Sequence, residues 1–135
     1  MLVTKVLNEN RDFRRLYARA KFLAHPILVT YAQRNSFGIN RIGITATKKT
    51  GNAVLRNRSR RIIKAAYLSL EKELRPGWDF VFVARAKTSQ MKSTDILPVM
   101  KNHIEKLTAK KPPAAKLPAA ALNDEKTADI LNQPL

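Results

Sequence analysis

The chain has no cysteine, which removes disulfide frameworks, thiolate metal sites and cysteine nucleophiles, and fits a reducing compartment. Long apolar runs are missing as well. No segment approaches the ~18 consecutive apolar residues of a membrane helix, and the N-terminus lacks the apolar stretch of a secretion signal. A soluble, cytoplasmic protein is expected. Acidic residues are scarce where they matter most: between Phe13 and Leu70 there is no Asp or Glu. Before Glu71 only Glu9 and Asp12 stand, and His25 and His103 show no ligand spacing. A nuclease working through protein-held metal ions needs clustered carboxylates or histidines, and a serine hydrolase needs a Ser, His, Asp grouping at a nucleophile turn. Neither pattern is present, so no catalytic and no metal-ligating residue is assigned.

What the acid-free stretch does contain is thirteen cations: Arg14, Arg15, Arg19, Lys21, Arg34, Arg41, Lys48, Lys49, Arg56, Arg58, Arg60, Arg61 and Lys64. A folded surface of one sign repels itself and calls for a partner that supplies the opposite charge. Nucleic acid fits, because a phosphate backbone releases condensed counterions as Lys and Arg neutralise it. Membrane association would instead need an amphipathic helix with bulky apolar anchors opposite its cations, and no small-molecule substrate is indicated. The net charge is +16 over 135 residues. From Pro112 onward Lys116 and Lys126 face Asp124, Glu125 and Asp129, so the part before carries +16 − (−1) = +17. Residues 1–111 are expected to form one domain around one core. Residues 112–135, rich in Ala and Pro and poor in large apolar side chains, are expected to be a disordered tail.

Periodicity supplies the elements. Asn8 or Asn10 is expected to cap a helix to about Ala20, with Phe13, Leu16 and Tyr17 at i, i+3, i+4. Ile27 to Ala32 reads as a strand with Ile27, Val29 and Tyr31 on one face and Leu28, Thr30 and Ala32 on the other. Gln33 to Asn40 reads as a hairpin loop into a second strand, Arg41 to Thr47. There Ile42, Ile44 and Ala46 make a bulky face, and Gly43, Thr45 and Thr47 a shallow one. Gly51 and Asn52 supply a turn and N-cap for a helix from about Ala53 to Leu74. Its apolar stripe is Leu55, Ile62, Ile63, Ala66 and Leu70, with Ser59 in the middle; Asn57, Arg60, Arg61 and Lys64 lie opposite, and Arg56 and Arg58 on the flanks. The unbroken apolar run Phe80 to Ala84 reads as a central strand covered on both faces. Ser93 or Thr94 is expected to cap a last helix whose buried line is Leu97, Met100, Ile104 and Leu107.

The run Lys48-Lys49-Thr50-Gly51-Asn52-Ala53-Val54-Leu55-Arg56-Asn57-Arg58-Ser59-Arg60-Arg61 joins a strand end to a Gly-Asn turn and a helix opening in Arg-Asn-Arg. It resembles the signature of the bacterial ribonuclease P protein subunit. The Asp12-Phe13 pair, the Arg41-Ile42-Gly43 strand and the strand from Asp79 to Arg85 agree, and the resemblance covers roughly residues 7 to 110. Ser59, Ala65 and Leu68 depart from the usual pattern, where a branched apolar, an acidic and a basic residue are common.

The resemblance implies an α+β fold in the order helix, three strands, helix, strand, helix. The extra strand would be a short one near Lys21 to Ala24, in a four-stranded sheet. It also implies a left-handed crossover through the long helix, against a rule that favours the right-handed path in about 98% of cases. The implied function is the protein subunit of ribonuclease P, whose partners are the catalytic RNA and precursor tRNA. Mg²⁺ would be held mainly by the RNA, which carries the active site. Lys48, Lys49, Asn52, Arg56, Asn57, Arg58, Arg60, Arg61 and Lys64 would bind RNA, with guanidinium groups gripping phosphate bidentately and the lysines acting as point charges. Phe13, Tyr17 and Tyr31 would line a cleft for the single-stranded 5′ leader, where stacking tolerates many sequences. Two rivals remain: a ribosomal or general RNA-binding protein, and an autonomous nuclease, against which the lack of a carboxylate cluster argues.

Overall fold

The computed structural model describes residues 4–109; the expected tail, 112–135, lies outside the described residues. The elements run β1 (Thr4–Val6), α1 (Asn10–Arg19), β2 (Lys21–His25), β3 (Leu28–Arg34), β4 (Asn40–Thr45), α2 (Ala53–Leu70), β5 (Trp78–Ala84) and α3 (Ser93–Leu107). They make an α+β unit on one mixed five-stranded sheet in the order β1-β4-β5-β3-β2. The expected count of four strands is corrected by β1, which pairs parallel with β4 from Thr4 opposite Asn40 to Val6 opposite Ile42. Three residues are too few to show a periodicity, and β1 forms because β4 offers an open edge and Thr4 Oγ1 meets Tyr67 Oη at 2.9 Å. The short strand expected near Lys21 is β2, antiparallel to β3.

β5 lies between β4, to which it is parallel, and β3, to which it is antiparallel. Its uninterrupted apolar run follows from that position, because both faces are covered. On one face α2 and α3 pack Ile63, Ala66, Tyr67, Met100 and Ile104 against Leu28, Ala32, Ile42, Phe80 and Phe82. On the other, α1 packs Leu16 against Val29, Tyr31, Val81 and Val83, with Phe13 and Tyr17 at the margin. The alternation expected from Leu28 to Ala32 is thus realised with both faces buried, whereas Ile27 precedes the strand and packs with the Leu28 and Ala32 cluster instead of sharing the face of Val29 and Tyr31.

Several local expectations are corrected. Residues 35–39 do not close a hairpin, because β5 lies between β3 and β4 and pairs with both. Neither asparagine caps α1: Glu9 occupies the N-cap position and Asn10 is the first helical residue. Lys92 occupies the N-cap of α3, where its backbone N–H donates to the Asp95 carboxylate at 2.9 Å, so neither Ser93 nor Thr94 takes that role. Helix α2 stops at Leu70 and tightens into a 3-10 turn, Glu71–Glu73. Leu55 is not docked on the sheet. It is 38% exposed and folds over Gly51. Glycine is called for there twice over, by a positive φ of 135° and because a Cβ would stand 2.6 Å from Leu55 Cδ1. Tyr67 takes a place in the buried stripe instead. Ser59 is fully buried, and its hydroxyl finds no hydrogen-bond partner.

Candidate nucleic-acid interface

The basic segment is built by a sharp change of direction. After β4, Lys48–Thr50 form one 3-10 turn, Gly51 reverses the chain, and Asn52 caps α2 by accepting from Leu55 N at 3.0 Å. That bond satisfies one of the orphan N–H groups of the first turn. The helix start therefore stands next to the exposed Lys48 and Lys49, where its partial positive charge adds to theirs. Along the helix Asn57 Oδ1 accepts from Arg60 Nη1 at 3.0 Å, which holds that guanidinium near the sheet, with Nη2 3.4 Å from Ala46 O. Arg58, Arg61 and Lys64 are exposed.

Between this helix and α1 lies an open concavity of about 650 Å³. One wall is made by the cations Lys48, Lys49, Arg56 and Arg60 with Asn57 among them; the other comes from Asn10 and Phe13 of α1, and the floor from Ile44 to Thr47. Arg60, Arg61 and Lys64 also rim a smaller hollow of about 300 Å³ floored by Val6, Leu7, Ile42 and Ile44. The structure thus gathers five of the nine predicted RNA-binding residues around one concavity. Asn52 is committed to the cap through its side-chain oxygen, and Arg58 stands on the exposed flank.

The three predicted aromatic residues form a connected row, but at different depths. Phe13 and Tyr17 have ring centroids 6.4 Å apart, Tyr17 and Tyr31 5.0 Å, and Tyr31 and Phe22 5.2 Å. Phe13 and Tyr17 are half-buried and reach the surface. Tyr31 is fully buried and its hydroxyl has no protein partner, so its ring supports Tyr17 from beneath rather than facing outward. Burial raises the pKa of both phenols, an effect opposed at Tyr17 by its 3.0 Å hydrogen bond to Thr45 Oγ1. The row can lie close to the sheet because the shallow face of β4 carries Gly43. A Cβ there would stand 2.5 Å from Phe13 Cζ.

The sequence reading missed the group that fixes α1 to this surface. Asp79, 1% exposed at the start of β5, accepts four hydrogen bonds: from Arg15 Nη2 at 2.8 Å, Asn35 Nδ2 at 2.8 Å, Arg41 Nε at 2.8 Å and Arg41 Nη2 at 2.7 Å. Arg15 also reaches Asp12 Oδ1 at 3.0 Å and Gln33 Oε1 at 3.2 Å. Two of the thirteen cations are therefore neutralised by acids outside the acid-free stretch. A single Asp opening an otherwise apolar central strand was the available signal, since such a carboxylate must be paired. The pairing keeps Arg41 firmly charged, chiefly through its hydrogen bonds to Asp79.

Among the described residues no three His, Cys, Asp or Glu side chains converge as metal ligands would. His25 and His103 do come together, with ring centroids 6.4 Å apart. His103 is buried against Thr30 Oγ1 at 2.9 Å, and burial, with His25 and Lys106 adding to it, pushes its pKa down to about 4. Among the described residues no helix is long and apolar enough to cross a membrane.

Comparison with known proteins agrees with this geometry. A family model described as Ribonuclease P matches residues 1–108. The ribonuclease P protein component of Clostridioides difficile (strain 630) is 39% identical over 104 residues, covering 76% of this chain and 91% of that protein. That of Clostridium botulinum (strain Loch Maree / Type A3) is 38% identical over 101 residues, covering 74% and 91%. The solved structure of the Staphylococcus aureus RNase P protein superposes with a TM-score of 0.64 at 29% identity, over 77% of this chain and 97% of that one. The RNase P protein of Thermotoga maritima, at 22% identity, shares the fold with a TM-score of 0.69 over 78% and 99%. With its sequence matched over nearly the whole of the described fold, the chain belongs to the ribonuclease P protein family.

Proposed function

We propose that this chain serves ribonuclease P as a two-walled clamp: the cationic wall of α2 holds structured RNA by its phosphates, and the aromatic margin of α1 receives the 5′ leader of precursor tRNA. The protein is a subunit of a ribonucleoprotein endoribonuclease that matures tRNA 5′ ends. The observation that carries the clamp is the concavity itself, which sets Lys48, Lys49, Arg56 and Arg60 opposite Phe13 across one open groove. Guanidinium and ammonium groups neutralise phosphates without reading bases, and rings stack on bases of any sequence. That combination suits a protein serving many precursors. Arg58, Arg61 and Lys64 extend the phosphate-binding surface along the outer side of α2, and Asn52 contributes by setting the direction of the helix start. Tyr31 acts from below, holding Tyr17 in place. The family's left-handed path from β4 through α2 to β5 is part of the same reading.

Catalysis is assisted through binding. Contacts to the leader favour precursor over mature tRNA, and the cations screen repulsion between two RNAs, so both effects act on assembly of the complex. Mg²⁺ belongs to the RNA partner in this reading, since the described carboxylates are dispersed or, like Asp79, saturated by arginine. The catalytic RNA and precursor tRNA are the partners, and the cytoplasm the compartment. The test is reconstitution: added to a bacterial ribonuclease P RNA at moderate Mg²⁺, the protein speeds leader removal and raises affinity for precursor over mature tRNA. An unchanged rate with equal affinity for both tRNAs would make it a general RNA-binding protein.

A further inference from the structure

The end of the sheet away from Lys48 carries a second built feature that the clamp leaves unused. β4 spans Asn40–Thr45, so the tip of the loop before it, which crosses from β3 over the end of β5, and the lysines after it lie roughly 20 Å apart, the length of a six-residue strand. At that tip Phe37 is 61% exposed. Single exposed apolar side chains are ordinary, but this one is held by a chain of bonds that ends in the core. Phe37 N donates to Asn35 Oδ1 at 2.9 Å, and Asn35 Nδ2 donates to the buried carboxylate of Asp79 at 2.8 Å. The same carboxylate locks the Arg41 guanidinium through bonds of 2.8 and 2.7 Å, and that guanidinium lies 4.4 Å from the centroid of the Phe37 ring. The ring is thus backed by a fixed cation while the rest of it faces solvent. Three residues earlier in the chain the exposed Arg34 stands 5.8 Å over the ring of Trp78. The segment from Arg34 to Arg41 contains no acid.

We infer that Phe37 is a stacking platform for an unpaired RNA base, a second RNA contact at the opposite end of the sheet from the cationic ridge. An anchored ring loses little freedom on binding, so stacking on it is not spent on ordering a loop. Arg34, exposed three residues before it, supplies a phosphate contact of the kind that accompanies such stacking along a single strand. The charge decides the class of partner: Arg41 is matched by the buried Asp79, so the exposed charge near the ring in sequence is that of Arg34, and an anchored aromatic with an exposed cation in the same loop suits a polyanion bearing π-faces. The inference rests on the ribonuclease P reading for the identity of the RNA, which is either the catalytic strand or the precursor.

The test uses the full chain and its Phe37→Ala, Phe37→Leu and Phe37→Tyr variants. Equilibrium binding is measured against a bacterial ribonuclease P RNA and against precursor tRNA over a range of salt. Phe37→Ala and Phe37→Leu lower affinity for one of these RNAs by about 5- to 150-fold, the loss of one stacked base, while Phe37→Tyr retains it. The slope of log affinity on log salt stays that of the parent, because no phosphate contact is removed. Loss on the catalytic RNA alone places the base there; loss on the precursor alone places it in the substrate. Parental affinity of Phe37→Ala for both RNAs overturns the inference, as does a Phe37→Leu variant that binds like Phe37→Tyr. If the parent protein speeds leader removal while Phe37→Ala binds unchanged, only the platform falls. If the parent fails to speed it while Phe37→Ala still loses affinity, the ribonuclease P reading falls and the platform stands.

Discussion

Replacing Asp79 by Asn tests whether one buried carboxylate holds the aromatic wall, the loop between β3 and β4, and the sheet together. In the parent its two oxygens take four N–H donors from three side chains, at 2.7 to 2.8 Å, and it is 1% exposed. Asparagine keeps the shape but offers one acceptor oxygen and turns an NH₂ group toward arginine donors. Arg15 and Arg41, whose side chains are 34% and 18% exposed, then lose their counter-charge while still partly withdrawn from water. Breaking a buried ion pair by removing one partner costs about 3 to 5 kcal/mol, a large share of the roughly 5 to 15 kcal/mol that holds an ordinary domain together. With a urea slope of about 1 to 3 kcal/mol per M, the midpoint falls by roughly 1 M or more. Adding Arg41→Gln to Asp79→Asn removes part of the stranded charge, so the two costs are not additive. Because the pair is buried, raising the salt leaves the difference nearly unchanged. Urea denaturation followed by circular dichroism reads all of this. A midpoint for Asp79→Asn within about 0.2 M of the parent would refute the reasoning.

Three further outcomes are expected. Gly43→Val places a side chain where Phe13 now lies, costs about 1 to 3 kcal/mol by overpacking and displaces the edge of α1; its affinity for precursor tRNA falls more than for mature tRNA, and equal losses in a binding titration would contradict the role given to that edge. His103 is neutral in the fold with its pKa pushed down to about 4, whereas the unfolded chain takes up the proton below about 6.5. Its contribution is therefore complete above that value and is lost as pH falls through about 4, up to about 3 kcal/mol, so the urea midpoint of His103→Leu should vary less than the parent's between about pH 7 and pH 4. Affinity for ribonuclease P RNA falls by about 10³ to 10⁵ between 50 and 200 mM salt if six to ten phosphates are contacted; a flat response in filter binding would exclude the phosphate ridge.

The parts of the molecule legible in the sequence were those fixed by local pattern. The unbroken apolar run Phe80–Ala84 announced the central strand, and the alternation of Leu28–Ala32 announced a strand with two distinct faces. Asn52 was recognisable as a cap from its place after Gly51 and before the apolar stripe. The cationic wall of the groove followed from the Lys-Lys, Gly-Asn, Arg-Asn-Arg run. What stayed hidden depends on contacts between residues far apart in the chain. Asp79 meets Arg15 across 64 positions and Arg41 across 38, so the neutralisation of two cations by acids outside their own stretch has no local signature. β1 exists only because β4 has an open edge to pair with. The depth of Tyr31 is likewise tertiary: its strand neighbours and α1 cover it from both sides, and alternation alone tells which face a residue occupies, not how thick the layer above it is.

The most direct measurement is a cleavage assay on precursor tRNA with protein purified free of all nucleic acid, run with and without ribonuclease P RNA. If binding is this chain's contribution and bond breaking the RNA's, the leader is removed only when the RNA is present, and faster with the protein than without it. Removal of the leader by the protein alone would contradict the account.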